Sequence, residues 1–205
     1  MFSESGLNLD QKGIWEDLGD IEFAGEVAVE NFKKIKTFVK DVLVSDQKLV
    51  SLGGDHSVSW PILDAHLDKW DALDILHIDA HPDLYDSLLG NKLSHASPFA
   101  RIMETGRASR LVQVGIRTLN KHQREQAEKF GVEIYQMKDL TKLNSLSFSK
   151  PVYCSIDIDA LDPAYAPGVS HFEPGGLSTR QLIDCLNGFK GRLIGADIVE
   201  YNPKR

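Results

Sequence analysis

Residues 75–83 read Ile-Leu-His-Ile-Asp-Ala-His-Pro-Asp, an apolar run ending in Asp79, His81 and Asp83 spaced two apart. In extended chain successive side chains alternate faces, so these three can project to one side. Two carboxylates and an imidazole on one face are a ligand set for a cation. Residues 152–163 repeat the design, with Asp157 and Asp159 sharing a face at the end of an apolar strand. Gathering Asp79, Asp83, Asp157 and Asp159 places about four negative charges within a few ångströms, at a cost of several kcal/mol unless protonation or cations neutralise them. Two divalent ions would balance them.

His56 extends the set, because Gly53-Gly54-Asp55-His56-Ser57 follows a short strand and the paired glycines allow a sharp turn there. The six candidates His56, Asp79, His81, Asp83, Asp157 and Asp159 contain no thiolate. Such oxygen-rich ligation favours Mn²⁺ over Mg²⁺, Fe²⁺, Co²⁺ or Zn²⁺. Two such ions about 3.5–4 Å apart can bridge a water, lower its pKa and present hydroxide to an electrophilic carbon or phosphorus. A two-metal hydrolase is the expectation, and no Gly-rich phosphate cradle or Arg clamp supports a phosphate ester as its substrate.

The elements that must position these residues alternate between helix and strand. Residues 1–22 are polar and weakly patterned. Ala28, Phe32, Ile35, Val39 and Val42 recur at helical spacing, which predicts an amphipathic helix over 23–44. A strand over 48–52 precedes a helical stretch to about residue 67, with Ser57 as its candidate cap. Further strands are expected to end at Asp79 and to cover 110–115, 132–135, 152–157 and 193–199, and helices to cover 98–104, 121–130 and 178–188. The section 139–150 carries no clear signal, whereas 160–176 is a long loop of the kind that often carries function. The expected fold is α/β, a three-layer α/β/α sandwich with a mostly parallel sheet, in one domain spanning 1–205. In such sheets ligands bind at the carboxyl ends of strands.

A formal net charge of −7 argues against nucleic acid or an anionic membrane surface as partner. The start of the chain lacks a basic, then apolar, targeting pattern, and no apolar run approaches the roughly 18 residues needed to span a bilayer. Cys154 and Cys185 form neither a disulfide framework nor a C-x-x-C pair, so a reducing cytoplasm is expected.

Gly53-Gly-Asp-His-Ser57, Asp79-Ala-His-Pro-Asp83 and Ser155-Ile-Asp-Ile-Asp-Ala-Leu-Asp-Pro163 together resemble the three metal-binding signatures of the ureohydrolase family of arginases, agmatinases and formimidoylglutamases. The resemblance spans nearly the whole chain. It implies an arginase-like fold and two Mn²⁺ per chain, with a bridging hydroxide that attacks a guanidinium carbon and releases urea. It also implies a homo-oligomer, commonly a trimer or hexamer. His56, Asp79, Asp83 and Asp159 would serve one or other ion, with His81 and Asp157 completing the cluster; which ligands bridge stays open. His95, in Ser94-His-Ala-Ser-Pro-Phe99, resembles the family's proton-shuttling histidine. Asp197-Ile-Val-Glu200-Tyr-Asn-Pro203 resembles the motif whose glutamate receives the guanidinium, a role that falls to Glu200, while Asp197 fits a metal-organising role as well as direct contact.

Residues 90–101, 113–117 and 166–177 are most similar to plant-type arginases. L-Arginine, hydrolysed to ornithine and urea, is therefore the first expected substrate and agmatine, hydrolysed to putrescine and urea, the second. Discrimination between them is assigned to loop donors, Asn91 and Ser94. Family members usually begin with another strand and helix and continue past Asn-Pro, so this chain reads as incomplete at both ends. That makes a catalytically silent, truncated metal-binding paralogue the rival reading, and it predicts an exposed apolar sheet edge. His66, His77 and His122 have no partner pattern and read as core-edge or surface residues. His171 and Glu173 lie in the loop on the site side and are candidates for a substrate rim or subunit contact; Trp15, Trp60 and Trp70 read as packing.

Overall fold

The computed structural model describes residues 2–23, 25, 28–140 and 146–204. Helix α1 (Ala28–Val42) buries Ile35 and Val39, the heart of the periodic stripe. The helix was expected from Phe23, but residues 24, 26 and 27 lie outside the described residues. Then come β1 (Leu49–Leu52), α2 (Ser59–Lys69), β2 (Leu73–Ile78), α3 (Pro98–Glu104), β3 (Ala108–Ile116), α4 (Lys121–Phe130) and β4 (Glu133–Gln136). The chain closes with β5 (Ser147–Asp157), α5 (Thr179–Gly188) and β6 (Lys190–Val199).

Local chemistry sets the boundaries. Pro98 opens α3, where its missing N–H costs nothing. Ser178 and Gln181 form a capping box on α5, and Asn120 caps α4 by accepting the Gln123 N–H. Ser57 does not cap the second helix. Asp55 instead accepts the Ser57 N–H at 3.0 Å, starting a 3-10 turn over His56–Val58 that delays α2 to Ser59. Strand β5 begins at Ser147, inside the section that carried no signal, with Phe148 buried against the sheet. Residues 141–145 of that section lie outside the described residues.

Among the described residues the sheet has six strands in the order β1-β6-β5-β2-β3-β4, every pair parallel. Chain order runs outward from β2 to β3 and β4, then returns to place β5 on the other side of β2. That reversal is a topological switch point, and the crevice outside the strand ends there is where α/β sheets bind ligands. Asp79 follows β2 and Asp157 ends β5, so the switch point brings the two acidic motifs together.

Strand alternation divides the core. Leu73, Ile75 and Tyr153 pack with Leu63, Phe99 and Ile102 of α2 and α3 on one face. Leu76, Val114 and Ile156 pack with Leu177 and with Leu182 and Leu186 of α5 on the other. Helices thus cover both faces, as expected of a three-layer fold. Edge strand β1 leaves Val50 59% and Leu52 81% exposed. Among the described residues no helix is long and apolar enough to cross a membrane.

Candidate metal centre

The acidic residues converge through turns rather than through strand alternation. Strand β2 stops at Ile78, and Asp79 Oδ1 accepts the His81 N–H at 2.6 Å. Asp157 does the same two residues on, accepting the Asp159 N–H at 2.7 Å as the chain enters a 3-10 turn over Ile158–Ala160. A carboxylate that bonds the backbone two positions later folds the chain back locally, so each motif delivers two side chains to one place. Asp159 Oδ1 also accepts the Ala80 N–H at 3.3 Å, tying the motifs to each other.

Two site residues adopt positive φ although they are not glycine, Asp83 at 50° and Glu200 at 63°. Such strain clusters at functional sites, where the surrounding structure enforces it. Glu200 is held by its N–H, donated to Gly54 O at 2.8 Å, and by Oε1, which accepts the His56 N–H at 2.9 Å. Gly115, at φ 93°, is required as glycine because an added Cβ would stand 3.0 Å from the Asp79 carbonyl.

His56 is fully buried, and its Nδ1 lies 3.2 Å from Asp79, 3.0 Å from Asp83 and 3.3 Å from Asp157. Nδ1 makes no hydrogen bond of acceptable direction, so a buried nitrogen faces three carboxylates without a partner. The opposite nitrogen is committed: Nε2 lies 3.0 Å from Ser155 Oγ, which donates to Asp197 Oδ1 at 2.6 Å, while Tyr153 donates to Asp197 Oδ2 at 2.8 Å. Since the serine proton goes to Asp197, Ser155 accepts from His56 Nε2–H. Nε2 thus keeps its own proton, and Nδ1 is the nitrogen turned toward the carboxylates, where a cation that displaces any proton held there would find its lone pair. Across the cluster, His81 Nδ1 lies 3.1 Å from Asp159 and 3.5 Å from Asp79.

The charges show what the site demands. Burial pushes the carboxyls of Asp157 and Asp159 up, and the neighbouring Asp79 pushes them further. The same causes bring Asp83 to about 6. Burial also acts to raise Asp79, but His77, His56 and His81, which turn ring nitrogens toward it, more than offset that and hold this carboxyl well below the usual range. Burial would lower His81, yet the hydrogen bonds it donates to Asp159 and Asp79 outweigh it and bring it to about 11. His56 is raised well above its usual value by Asp157, Asp79 and Asp83 against the same opposing burial. Crowded carboxylates here draw in whatever positive charge is available. Divalent cations fit this donor set in charge and type, and the unpartnered His56 Nδ1 fits it in direction.

The centre lies at the base of a cleft of about 170 Å³. His81, Asp83, Asp157, Asp159 and Glu200 line the cleft together with Tyr85, Leu88, His95, Gln123 and His171. His171 bridges two histidines, with ring centroids 5.5 Å from His81 and 5.9 Å from His95. Glu173 Oε1 lies 3.5 Å from His81 Nε2. Arg117 fastens this part of the site, donating to the carbonyls of Asp159 and Glu173 at 2.7 Å each.

Asn91 and Ser94 are on the loop that carries His95 but are not among the cleft-lining residues. Asn91 Oδ1 accepts the Leu93 N–H at 2.9 Å, and Ser94 Oγ pairs with Ser97 Oγ at 3.1 Å. His66 and His77 are both fully buried, contrary to their reading as edge residues. His77 is the greater surprise: it donates from Nε2 to Asp79 Oδ2 at 2.7 Å. Burial lowers its imidazole to about 4, leaving it neutral. Gln113 and Ser155 fall within segments that carry the family resemblance but have no role assigned from sequence, and Gln123 and Tyr85 carry no sequence signal. Polar residues breaking apolar strands at equal depth were the one available signal, because Gln113, His77, Ser155 and Asp197 are successive register partners across β3, β2, β5 and β6.

A family model described as the arginase family matches residues 4–205. The chain is 48% identical over 217 aligned residues to arginase 2, chloroplastic/mitochondrial, of Arabidopsis thaliana, covering 99% of this chain and 63% of that protein. It is 36% identical to an agmatinase of Bacillus cereus, covering 91% of this chain and 67% of that protein. Among solved structures, an arginase from Medicago truncatula superposes with a TM-score of 0.83 at 49% identity, covering 86% of this chain and 58% of that one. The chain therefore spans less than two thirds of the plant arginases it matches.

Proposed function

The chain belongs to the arginase family, and from that premise we propose that it is a binuclear manganese amidinohydrolase converting L-arginine to ornithine and urea. The observation that carries the reading is the buried, unpartnered His56 Nδ1 facing three carboxylates. His56, Asp79, His81, Asp83, Asp157 and Asp159 are the proposed ligands of two Mn²⁺. The bound cations would supply Lewis acidity and an activated water near neutral pH.

The chain's own groups then place the substrate. Glu200, oriented by the His56 N–H, pairs with the guanidinium, adding charge and planar alignment. His95, on the cleft wall beside His171, gives a proton to the departing amine as the guanidinium C–N bond breaks. Asn91 and Ser94 are the proposed donors to the α-carboxylate, and substrate binding has to turn their side chains away from their own loop. Leu88 and Tyr85 narrow the cleft around the aliphatic stem.

Agmatine is the second reading, favoured by the 36% identity to an agmatinase. The two substrates differ only by the α-carboxylate, so assaying both decides between them. For compartment, two free cysteines fit a reducing interior, and the chloroplastic/mitochondrial name of the Arabidopsis relative makes an organelle the rival to the proposed cytoplasm. The homo-oligomer, trimer or hexamer, is part of the same proposal and rests on the family resemblance.

Urea release from arginine and agmatine after Mn²⁺ loading, with Asp157→Ala as control, tests the function. Metal-dependent urea from arginine, abolished in the control, is expected. Preference for agmatine would move the substrate. Metal binding without urea from either would favour the silent paralogue.

A further inference from the structure

We propose that His77 and Gln113 act as a positioning pair, holding Asp79 in its cation-binding pose without binding the cation themselves. The proposal rests on the two-metal reading above. His77 and Gln113 are register partners on β2 and β3, and both are fully buried. Gln113 Nε2 lies 3.0 Å from His77 Nδ1 and 2.6 Å from Pro82 O, so the amide nitrogen gives one proton to each. His77 must then accept at Nδ1 and carry its proton on Nε2, which donates to Asp79 Oδ2 at 2.7 Å.

Proximity alone would allow His56, His77 and Asp79 to share an ion. Hydrogen bonding argues otherwise, because both His77 nitrogens are committed and neither offers a lone pair. Phe99 stacks on the His77 ring at 3.8 Å between centroids and meets His56 edge-on at 5.3 Å, so the ring cannot swing toward an ion. Asp79 is thus pinned at both oxygens, by the His81 N–H on Oδ1 and by His77 on Oδ2. Its remaining lone pairs are left for metal. The second Gln113 proton fixes Pro82 O, immediately before Asp83 at its strained φ. One amide therefore supports two proposed ligands.

The test compares four chains by calorimetric Mn²⁺ titration, Co²⁺ absorption spectra and melting of the metal-free protein. Wild type is expected to bind two ions. Gln113→Glu keeps the shape but loses the donor to His77, and His77→Phe loses the donor to Asp79. Both are expected to weaken Mn²⁺ binding by about 10–100-fold and to shift the Co²⁺ spectrum. His77→Gln, whose amide nitrogen can stand where Nε2 stood, is expected to recover much of the affinity.

Wild-type affinity and spectra in Gln113→Glu and His77→Phe, with only their melting lowered, would show a structural role and overturn the proposal. Loss of one whole ion in both His77→Phe and His77→Gln would make His77 a ligand and overturn it as well. Either result leaves the proposed function intact if wild type still binds two ions and releases urea. A wild-type chain that binds no metal overturns both.

Discussion

His56 Nε2 lies 3.0 Å from Ser155 Oγ, across 99 positions of sequence and between β5 and the turn that follows β1. That contact passes through Ser155 to Asp197, so a buried carboxylate two groups away sets which imidazole nitrogen faces the carboxylate cluster. Asp197 therefore acts through His56. Ser155→Ala is expected to weaken Mn²⁺ binding by about tenfold, because the ring loses its tautomer lock while every ligand stays in place. Metal titration of the variant checks this, and unchanged affinity would remove Ser155 from the account.

Glu200→Gln keeps the size of the side chain and removes its charge. The proposed pairing with guanidinium predicts a fall of roughly 100-fold in kcat/KM, dominated by KM, as a charge-assisted bidentate bond is lost. Mn²⁺ affinity should hardly move. Steady-state kinetics beside metal titration separates the two, and an unchanged KM would take Glu200 out of substrate binding.

Gly115 stands against the Asp79 carbonyl at φ 93°. Gly115→Ala is expected to lose about 1–3 kcal/mol of stability from backbone strain alone. The displaced Asp79 carbonyl should weaken Mn²⁺ binding too. Melting with and without Mn²⁺ shows whether the metal-dependent increment shrinks, as expected, or survives.

His66 connects the core to pH. Its Nδ1 lies 2.9 Å from Ile62 O, the ring stacks on Trp70 and meets Tyr153 edge-on, and Nε2 has no partner. Burial lowers its pKa to about 4, and Lys69 adds to the effect against the opposing Ile62 carbonyl. A histidine lowered on folding leaves stability whole above its unfolded pKa and removes it as pH falls from about 6.5 toward 4. At pH 5 the loss comes to about 2 kcal/mol. Chemical denaturation of wild type and His66→Leu at pH 7.5 and pH 5 should show that increment in wild type only.

The six proposed ligands were legible because aspartate and histidine are costly in a core and their spacing repeats in two motifs. The route by which they meet was not. Spacing suggested strand faces, whereas Asp79 and Asp157 each fold the chain back through a backbone hydrogen bond. Sheet order was equally hidden, and with it the polar row of Gln113, His77, Ser155 and Asp197, since strand register cannot be read from one chain. His77 looked bland because its partner Gln113 lies 36 positions away and is an ordinary residue type. The alternating helices and strands were readable from periodicity; the start of β5 was not, because Ser147 to Lys150 alternates burial only weakly.

Anomalous diffraction at the manganese edge from Mn²⁺-soaked crystals tests the central claim most directly. Two peaks about 3.5–4 Å apart are expected, one within bonding distance of His56 Nδ1 and the other of His81 Nδ1, with Asp79, Asp83, Asp157 and Asp159 around them. An ordered chain with no peak among these residues, or with manganese bound elsewhere, would contradict the account.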